Sequence, residues 1–266
     1  MCKANKILLF IFSAIVLTLF ASWLLDDDDI IKGEASFVHA NERNRSYIDV
    51  YIITGHGSFI DNIYQTQGKQ SPQWLDGLKI YEGYSCKMLG YELVDELLKN
   101  DIDAALVNPK AYDIDLVERV NMINEALHFN RRIIVISLHH NAQPTDKADY
   151  TDKYGQKGYY NCGATGVEIY TTPDKTKSDT IATLIFNSMK KELPQLNYRT
   201  DNSDGDPDKE AWFYELRKTG CPAVLIEFLF MTTYSDCLLI ANDTIREKYV
   251  KSVTNGLIEY NNSFKK

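Results

Sequence analysis

The chain has 266 residues, of which 44% are hydrophobic and 25% charged, a composition typical of a globular protein. This length can bury a large core as one α/β domain, with or without an added anchor. The formal net charge of −8 argues against a nucleic-acid partner, because phosphate binding normally requires a basic face.

The N-terminal region contains an apolar stretch that is long enough to cross a membrane. Ile7 to Leu25 is almost entirely apolar, with two lysines before it and four aspartates after it. About 20 apolar residues span a bilayer as a helix, whereas the apolar core of a cleaved signal peptide has about 7–15. We therefore expect residues 1–29 to form a signal anchor with a cytoplasmic N-terminus, in preference to a cleaved signal peptide. Residues 30–45 would be a linker, and the remainder of the chain would be exported.

After the linker, strand and helix patterns alternate along the chain. Apolar runs rich in β-branched residues predict strands, and apolar residues three and four positions apart predict helices. This alternation predicts one α/β domain with a largely parallel sheet. In chain order the prediction is a strand that begins at Ser46 and ends before Gly55, a helix at Glu82–Asn100, a strand at Ile102–Asn108, a helix at Asp113–Phe129, strands at Arg131–His139 and Gly166–Thr171, a helix at Ser178–Leu193, a strand at Pro222–Phe230 and a helix at Asp243–Tyr260.

Two long polar stretches interrupt this order. Gln143–Cys162 contains four tyrosines, and Asn197–Lys209 is rich in aspartate and asparagine. Loops of this length in a compact domain are more often functional than accidental. The first stretch is a candidate for a flap on the substrate side.

The five cysteines do not form a zinc motif. None is part of a CxxC pair, and Cys2 precedes the predicted anchor. Two disulfides among Cys86, Cys162, Cys221 and Cys237 are compatible with an oxidising compartment, but the sequence does not indicate a pairing. We expect these four to be small buried apolar residues.

Several groups that can bind a metal lie at the ends of predicted strands. His56 follows the first strand, His139 and His140 end the third, and Glu227 lies in the far half of the strand VLIEFLF. Glu82 begins a helix, from which its carboxylate can point to the same edge. Ligands of open α/β sheets bind beyond the carboxyl ends of the strands. This edge is therefore a candidate metal site.

Imidazole nitrogen and carboxylate oxygen suit zinc, and a set of three protein ligands leaves a position for water. A second carboxylate nearby could then move a proton. Each residue also has a structural interpretation. His39 and His128 would be ordinary polar residues, and Glu82 would be a favourable charge at a helix N-terminus. Glu227 is hardest to explain in this way, because a carboxylate inside an apolar strand is costly unless it is paired or ligated.

Six segments that contain these residues occur in an order typical of one enzyme family. They are IITGHG around His56, Glu82 at a helix start, NPKAYDIDLVERVNMIN around Arg119 and Asn124, ISLHHNA around His139, GVEIYT around Glu168 and PAVLIEFLFMT around Glu227. Together they resemble the zinc-dependent N-acetylmuramoyl-L-alanine amidases of peptidoglycan. The resemblance covers nearly all of residues 46–263, which would be the catalytic domain. It implies a three-layer α/β domain with about six strands, mostly parallel, flanked by helices.

The resemblance also implies a function and a set of roles. The enzyme would hydrolyse the amide bond between N-acetylmuramic acid and L-alanine in peptidoglycan of the cell envelope. One Zn²⁺ would be held by His56, Glu82 and His139, and Glu227 would be the general base and acid. The family motif makes His139 the ligand and His140 a variable position. Strand alternation agrees, since the two rings should point to opposite sides of the sheet.

Three residues depart from the family pattern without removing a ligand. Thr54 and Ser58 replace residues of the first motif, and Leu229 stands where the family usually has glycine after the catalytic glutamate. Two alternatives stay open from the sequence: another zinc peptidase that cuts the stem peptide, and a peptidoglycan-binding module without catalysis. Whether an activator protein is required is also open.

Overall fold

The computed structural model describes residues 46–74, 76–143, 150–151, 157–158, 163–174 and 176–265. All of them belong to one compact unit. The predicted anchor at 1–29, the linker at 30–45 and most of the stretch at 143–162 lie outside the described residues. Within the described part, none of the helices combines the length and the hydrophobicity needed to span a membrane.

Strands and helices alternate through most of the described chain. The strands are β1 (Asp49–Thr54), β2 (Phe59–Ile60), β3 (Ile63–Tyr64), β4 (Asp103–Leu106), β5 (Ile133–Asn141), β6 (Tyr150–Thr151), β7 (Lys157–Gly158), β8 (Val167–Thr171), β9 (Lys209–Glu210) and β10 (Ala223–Phe230). The helices are α1 (Glu82–Lys99), α2 (Leu116–Ala126), α3 (Lys177–Glu192), α4 (Tyr214–Lys218), α5 (Tyr234–Ile240) and α6 (Asp243–Asn262). A short 3₁₀ helix, Ser263–Lys265, follows.

Six strands form the central sheet in the order β4-β1-β5-β10-β8-β9. The first four are parallel, whereas β8 runs antiparallel to β10 and β9 runs parallel to β8. The mostly parallel sheet of about six strands is therefore confirmed. β2–β3 and β6–β7 form two separate antiparallel pairs.

Helices cover both faces of the sheet, and alternate strand residues supply the two cores. Val50 and Ile52 face a core that contains residues of α1, α3 and α6, while Tyr51 and Ile53 face a second core that contains residues of α2 and α4. This parity follows from the two-residue period of a strand. Burial on both sides explains why the strands are near-continuous apolar runs.

Several boundaries differ from the prediction for physical reasons. The helix predicted from Asp113 begins at Leu116, because the Asp115 side chain accepts a hydrogen bond from Val117 N and caps it. β5 continues past His139 to Asn141, since it pairs there with β10. The short elements α4, α5 and β9 were not predicted. Of the four cysteines expected to be buried, Cys86 and Cys237 are buried, Cys221 is only partly buried, and Cys162 lies outside the described residues.

The register of the parallel strands brings the candidate residues to one level. Thr54 of β1 pairs with Leu138 of β5, so Gly55 and His56 follow beside His139. Glu227 of β10 pairs directly with His139. The carboxyl edge of three adjacent strands therefore carries His56, His139 and Glu227.

Candidate metal centre

Three side chains at this edge point their donor atoms at one another. Glu82 Oε1 lies 3.0 Å from His139 Nδ1, and Glu82 Oε2 lies 3.4 Å from His56 Nε2. One ligand atom from each residue lies within 4.8 Å of the others, which is close enough for a single metal ion. The two imidazole rings meet edge to face with their centroids 5.6 Å apart.

Glu82 is held at the start of α1 by backbone contacts to the preceding loop. Its N–H donates to Lys69 O, and the next N–H, of Gly83, donates to the Tyr64 hydroxyl at 2.9 Å. Gly83 also packs against Gly57, where an added Cβ would lie only 1.8 Å from the Gly57 carbonyl oxygen. The carboxylate is 2% exposed and accepts a further hydrogen bond from His140 N at 3.3 Å. The helix start and this close packing fix its direction.

His56 lies in a strained turn immediately after β1. Its φ is +62°, a left-handed conformation that non-glycine residues rarely adopt and that is often found at functional sites. Gly57 N donates to Thr66 Oγ1 at 2.9 Å, and this bond ties the turn to the next loop. The turn directs Nε2 towards Glu82 and leaves Nδ1 3.9 Å from Asp113 Oδ2.

The absence of a side chain at Gly55 keeps the ligand atoms accessible. A Cβ at this position would lie 2.5 Å from His139 Nδ1 and 3.2 Å from Glu82 Oε1. The site thus offers two imidazole nitrogens and a carboxylate around a space that any larger residue would fill. This donor set and this space fit a divalent metal ion.

The charges of the three ligands are strongly coupled. Burial by itself would raise the pKa of Glu82, but the hydrogen bond from His139 and the two histidine charges hold that pKa below its usual value. Burial would lower the pKa of His139, but Glu215 and Glu82 raise it to about 10. Burial lowers the pKa of His56 to about 4. A cation between these groups is electrostatically favoured, and a metal ion can take the place of the proton.

Glu227 stands beside the ligands but differs from them in its surroundings. Its Oε2 is buried and has no hydrogen-bond partner among the described residues. Burial raises the pKa of Glu227 to about 7, and the nearby His139 charge only partly opposes this rise. A carboxylate with a pKa near neutrality can both take and return a proton.

Glu168 lies at the same level of the sheet, but both of its carboxylate oxygens have hydrogen-bond partners. It pairs with Glu227 across β8 and β10. Its oxygens contact four partners, at 2.6 to 2.9 Å: Asn141, Tyr170, Arg199 and Lys209. Burial opposes ionisation, but these donors hold the pKa of Glu168 below its usual value. These donors favour the ionised form of Glu168, whereas Glu227 Oε2 has no donor among the described residues.

His140 points away from the ligand cluster, as strand alternation predicts. It is 2% exposed, its Nδ1 lies 2.6 Å from Phe228 O, and its Nε2 lies 2.8 Å from Ser85 Oγ. Both ring nitrogens thus have partners in the core. The expectation that the two rings point to opposite sides of the sheet agrees with this geometry.

The unusual Leu229 also has a structural explanation. Its φ is +67°, in the region that favours glycine, and it is 1% exposed. The pairing of β10 with β5 shifts register between Glu227 and Phe230, so the strand contains an irregularity just after Glu227. The family's glycine suits this conformation, and here a buried leucine adopts it.

Three further charged residues around the ligands were not predicted to belong to the site. Glu215 Oε2 lies 3.7 Å from His139 Nε2, and Asp113 lies beside His56. The buried Arg119 contacts both acids, at 2.8 Å to Asp113 and 3.6 Å to Glu215. Glu215 belongs to the five-residue helix α4, which is too short to produce a periodic sequence signal. His128 is exposed, and His39 lies outside the described residues.

The chain matches the sequence profile of a known protein family. The sequence profile of the family described as N-acetylmuramoyl-L-alanine amidase matches residues 50–259. No protein of curated function matches the chain at a significant level of sequence similarity.

Several solved structures share the fold. An N-acetylmuramoyl-L-alanine amidase from Clostridium difficile 630 is 22% identical with a TM-score of 0.61, over 80% of this chain and 96% of that chain. Ami1 from Mycobacterium smegmatis is 17% identical with a TM-score of 0.60, over 83% and 99%. The CwlD amidase from Clostridioides difficile, solved in complex with the GerS lipoprotein, is 17% identical with a TM-score of 0.58, over 80% and 98%.

Proposed function

Because the chain belongs to the N-acetylmuramoyl-L-alanine amidase family, we propose that its reaction takes place at His56, Glu82, His139 and Glu227. The reaction is hydrolysis of the amide bond that joins N-acetylmuramic acid to L-alanine in peptidoglycan. The observation that carries the assignment is the buried Oε2 of Glu227, which has no hydrogen-bond partner in the described part of the chain and lies beside a three-residue candidate ligand cluster.

His56, Glu82 and His139 would hold a zinc ion. Two imidazoles and one carboxylate form a ligand set found at catalytic zinc sites, which keep a further position open. When bound, the zinc would act as a Lewis acid towards the scissile carbonyl group and towards a water molecule. Buried Glu82, fixed at the start of α1, would be the third ligand, since its two oxygens face the donor nitrogens of both histidines.

Glu227 would carry the proton during hydrolysis. Its carboxylate removes a proton from the attacking water, whose oxygen then forms a bond to the carbonyl carbon of the lactyl group. The same carboxyl group donates the proton to the alanine nitrogen as the carbon–nitrogen bond breaks. The raised pKa of Glu227, about 7, suits both roles, because the group exchanges its proton readily near neutral pH.

From the sequence, we extend the proposal to the parts of the chain outside the site. Residues 46–263 would be the catalytic domain, and residues 1–29 would export it to the cell envelope and anchor it in the membrane. Fractionation of cells that produce the full-length chain would find it with the membranes if the anchor is retained, and in the medium if residues 1–29 are cleaved. The complex of CwlD with a lipoprotein supports a search for a partner protein.

The substitution Glu227→Gln tests the assignment. It keeps the shape of the side chain but removes the proton acceptor, so we expect zinc to bind with wild-type affinity while turnover falls at least ~1000-fold, within the range for loss of an acid–base group plus its charge. The control Asp49→Asn changes another buried carboxylate, which pairs with Arg132 at the opposite end of β1. It should lose stability but not catalysis. Wild-type turnover by Glu227→Gln would refute the role of Glu227.

A further inference from the structure

We propose that Glu215 is a positioning residue for the ligand His139: it accepts a hydrogen bond from Nε2–H and so holds Nδ1 towards the metal. This inference rests on the proposed zinc site. It begins from the two nitrogens of one ring, of which Nδ1 lies 3.0 Å from Glu82 and Nε2 lies 3.7 Å from Glu215.

Glu215 cannot itself be a ligand of the same ion. The ring nitrogens of an imidazole face in different directions, so a carboxylate next to Nε2 is separated by the ring from a metal at Nδ1. The group of donor atoms that lie within 4.8 Å of one another consists of His56, Glu82 and His139, without Glu215. Glu215 therefore acts on the site through His139.

The unsatisfied nitrogen of His139 points to this contact. His139 Nε2 is buried and makes no hydrogen bond within the described residues, and the oxygen that faces it, Glu215 Oε2, accepts one hydrogen bond, from Ser137 Oγ. A buried carboxylate is costly unless it is paired, and a buried N–H is costly without an acceptor. A movement of a few tenths of an ångström would turn the 3.7 Å approach of Glu215 to Nε2 into a hydrogen bond. Ligand histidines commonly donate their second N–H to a carboxylate in this way.

A purely structural role for Glu215 explains less of the geometry. The obvious structural partner is Arg119, but its guanidinium already donates to Ile114 O, Thr54 O and Asp113 Oδ1 at 2.8 to 3.0 Å. Its distance to Glu215 is longer, at 3.6 Å, and it reaches Oε1, whereas Oε2 is the oxygen that faces His139 Nε2. The pairing with Arg119 therefore leaves Oε2 able to accept from His139.

The support of Glu215 is rigid enough for a positioning role. Ser137 Oγ, two residues before His139 on the same strand face, donates to Glu215 Oε2 at 2.9 Å. Arg119 also contacts Asp113, which lies 3.9 Å from Nδ1 of the other ligand, His56. One buried arginine thus connects the carboxylates behind both histidine ligands.

The test compares zinc affinity, by chelator competition, of the full-length protein and its Glu215→Gln and Glu215→Leu variants. Outer-shell substitutions commonly weaken metal binding about 10–100-fold. Glutamine keeps a neutral acceptor, so the loss of zinc affinity in Glu215→Gln should lie at the lower end of that range. Leucine has no acceptor, so the loss of zinc affinity in Glu215→Leu should lie at the upper end.

Excess zinc should restore most of the turnover of Glu215→Gln. Cobalt substitution should give a shifted visible absorption band in Glu215→Gln and an unshifted one in the control Asp49→Asn.

The possible results separate this inference from the zinc proposal. Thermal unfolding of the metal-depleted proteins shows whether both Glu215 variants are folded. If wild type binds one zinc and both folded variants bind zinc equally tightly, the role of Glu215 is refuted and the zinc site stands. If wild type binds no zinc, both proposals fall. If leucine prevents folding, the glutamine variant and its cobalt spectrum decide.

Discussion

At the scale of single residues, Gly55 leaves open the space in front of the proposed ligand His139. A Cβ on Gly55 would lie 2.5 Å from His139 Nδ1 and 2.7 Å from its Cε1. The ring would have to move away from Glu82 to relieve this contact. Gly55 is thus required by the space in front of the ligand, not by its own backbone conformation.

We expect Gly55→Ala to weaken zinc binding in a protein that still folds. Overpacking typically costs about 1–3 kcal/mol, and if this cost falls on the bound state, affinity decreases roughly 5–150-fold. Gly220→Ala is a matched control, because the nearest atom to its added Cβ is 3.3 Å away, on Leu127. Chelator competition on both variants measures the difference. Unchanged affinity in Gly55→Ala would mean that His139 does not bind metal through Nδ1.

A second prediction at this scale concerns a carboxyl group outside the site. Asp208 is 2% exposed, and Thr171 Oγ1 donates to its Oδ2 at 2.7 Å. Burial raises the pKa of Asp208 to about 8, and the adjacent Asp206 carboxyl group adds to the rise. In the unfolded chain the group ionises near 4. The folded protein therefore holds a proton that the unfolded chain releases between pH 4 and pH 8.

This proton makes stability fall as pH rises. Below pH 4 both states are protonated and Asp208 costs nothing, whereas above pH 8 the folded protein carries the full cost of the buried charge. Asp208→Asn should abolish this contribution, so the variant should gain about 2 kcal/mol or more over wild type between pH 5 and pH 8. Denaturant unfolding of both proteins at the two pH values measures it. A difference between the proteins that does not change with pH would contradict the assigned pKa.

At the scale of the secondary-structure element, the alternation of β5 separates two adjacent histidines. His139 faces Glu82 and Glu215, while His140 faces Ser85 and the Phe228 carbonyl. One extended strand thus supplies a proposed ligand to one side and a core residue to the other. The two substitutions to alanine should therefore fail in different ways.

His139→Ala should abolish zinc binding and turnover, and it should also lower stability, because it leaves the buried carboxylates of Glu82 and Glu215 without the histidine between them. His140→Ala should keep zinc bound to the folded protein but lower the free energy of unfolding by roughly 2–4 kcal/mol, through a cavity and an unpaired buried carbonyl. Zinc stoichiometry and denaturant unfolding of the two variants distinguish these outcomes. Loss of zinc from a folded His140→Ala protein would overturn the division between the two residues.

The elements also show what could be predicted from the sequence. The major strands and helices have strong apolar periods, and the parallel strand order made the convergence of His56, His139 and Glu227 predictable. The buried Glu227 was visible as a charge inside an apolar run. The shorter elements have no such period, so α4 and its Glu215 could not be found. The left-handed conformation of Leu229 was equally hidden, because leucine gives no sign of it.

At the scale of the whole molecule, residues from distant parts of the chain meet at one edge of the sheet. The resemblance to peptidoglycan amidases predicted the family, which the match over residues 50–259 confirms. The carboxylates behind the ligands depend on tertiary packing between α2, α4 and β5, which a linear pattern does not encode. Contacts such as that between Arg119 and Glu215, whose partners are far apart in the chain, required the fold.

The central claim is that these converging side chains perform metal-dependent hydrolysis of one amide bond. Purified peptidoglycan should be digested by the full-length protein with and without chelator, and the released fragments identified by mass spectrometry and end-group analysis. We predict stem peptides with L-alanine at a new amino terminus, suppressed by chelator and restored by zinc. Fragments that begin with a later residue of the stem, or digestion that is insensitive to the chelator, would contradict the account.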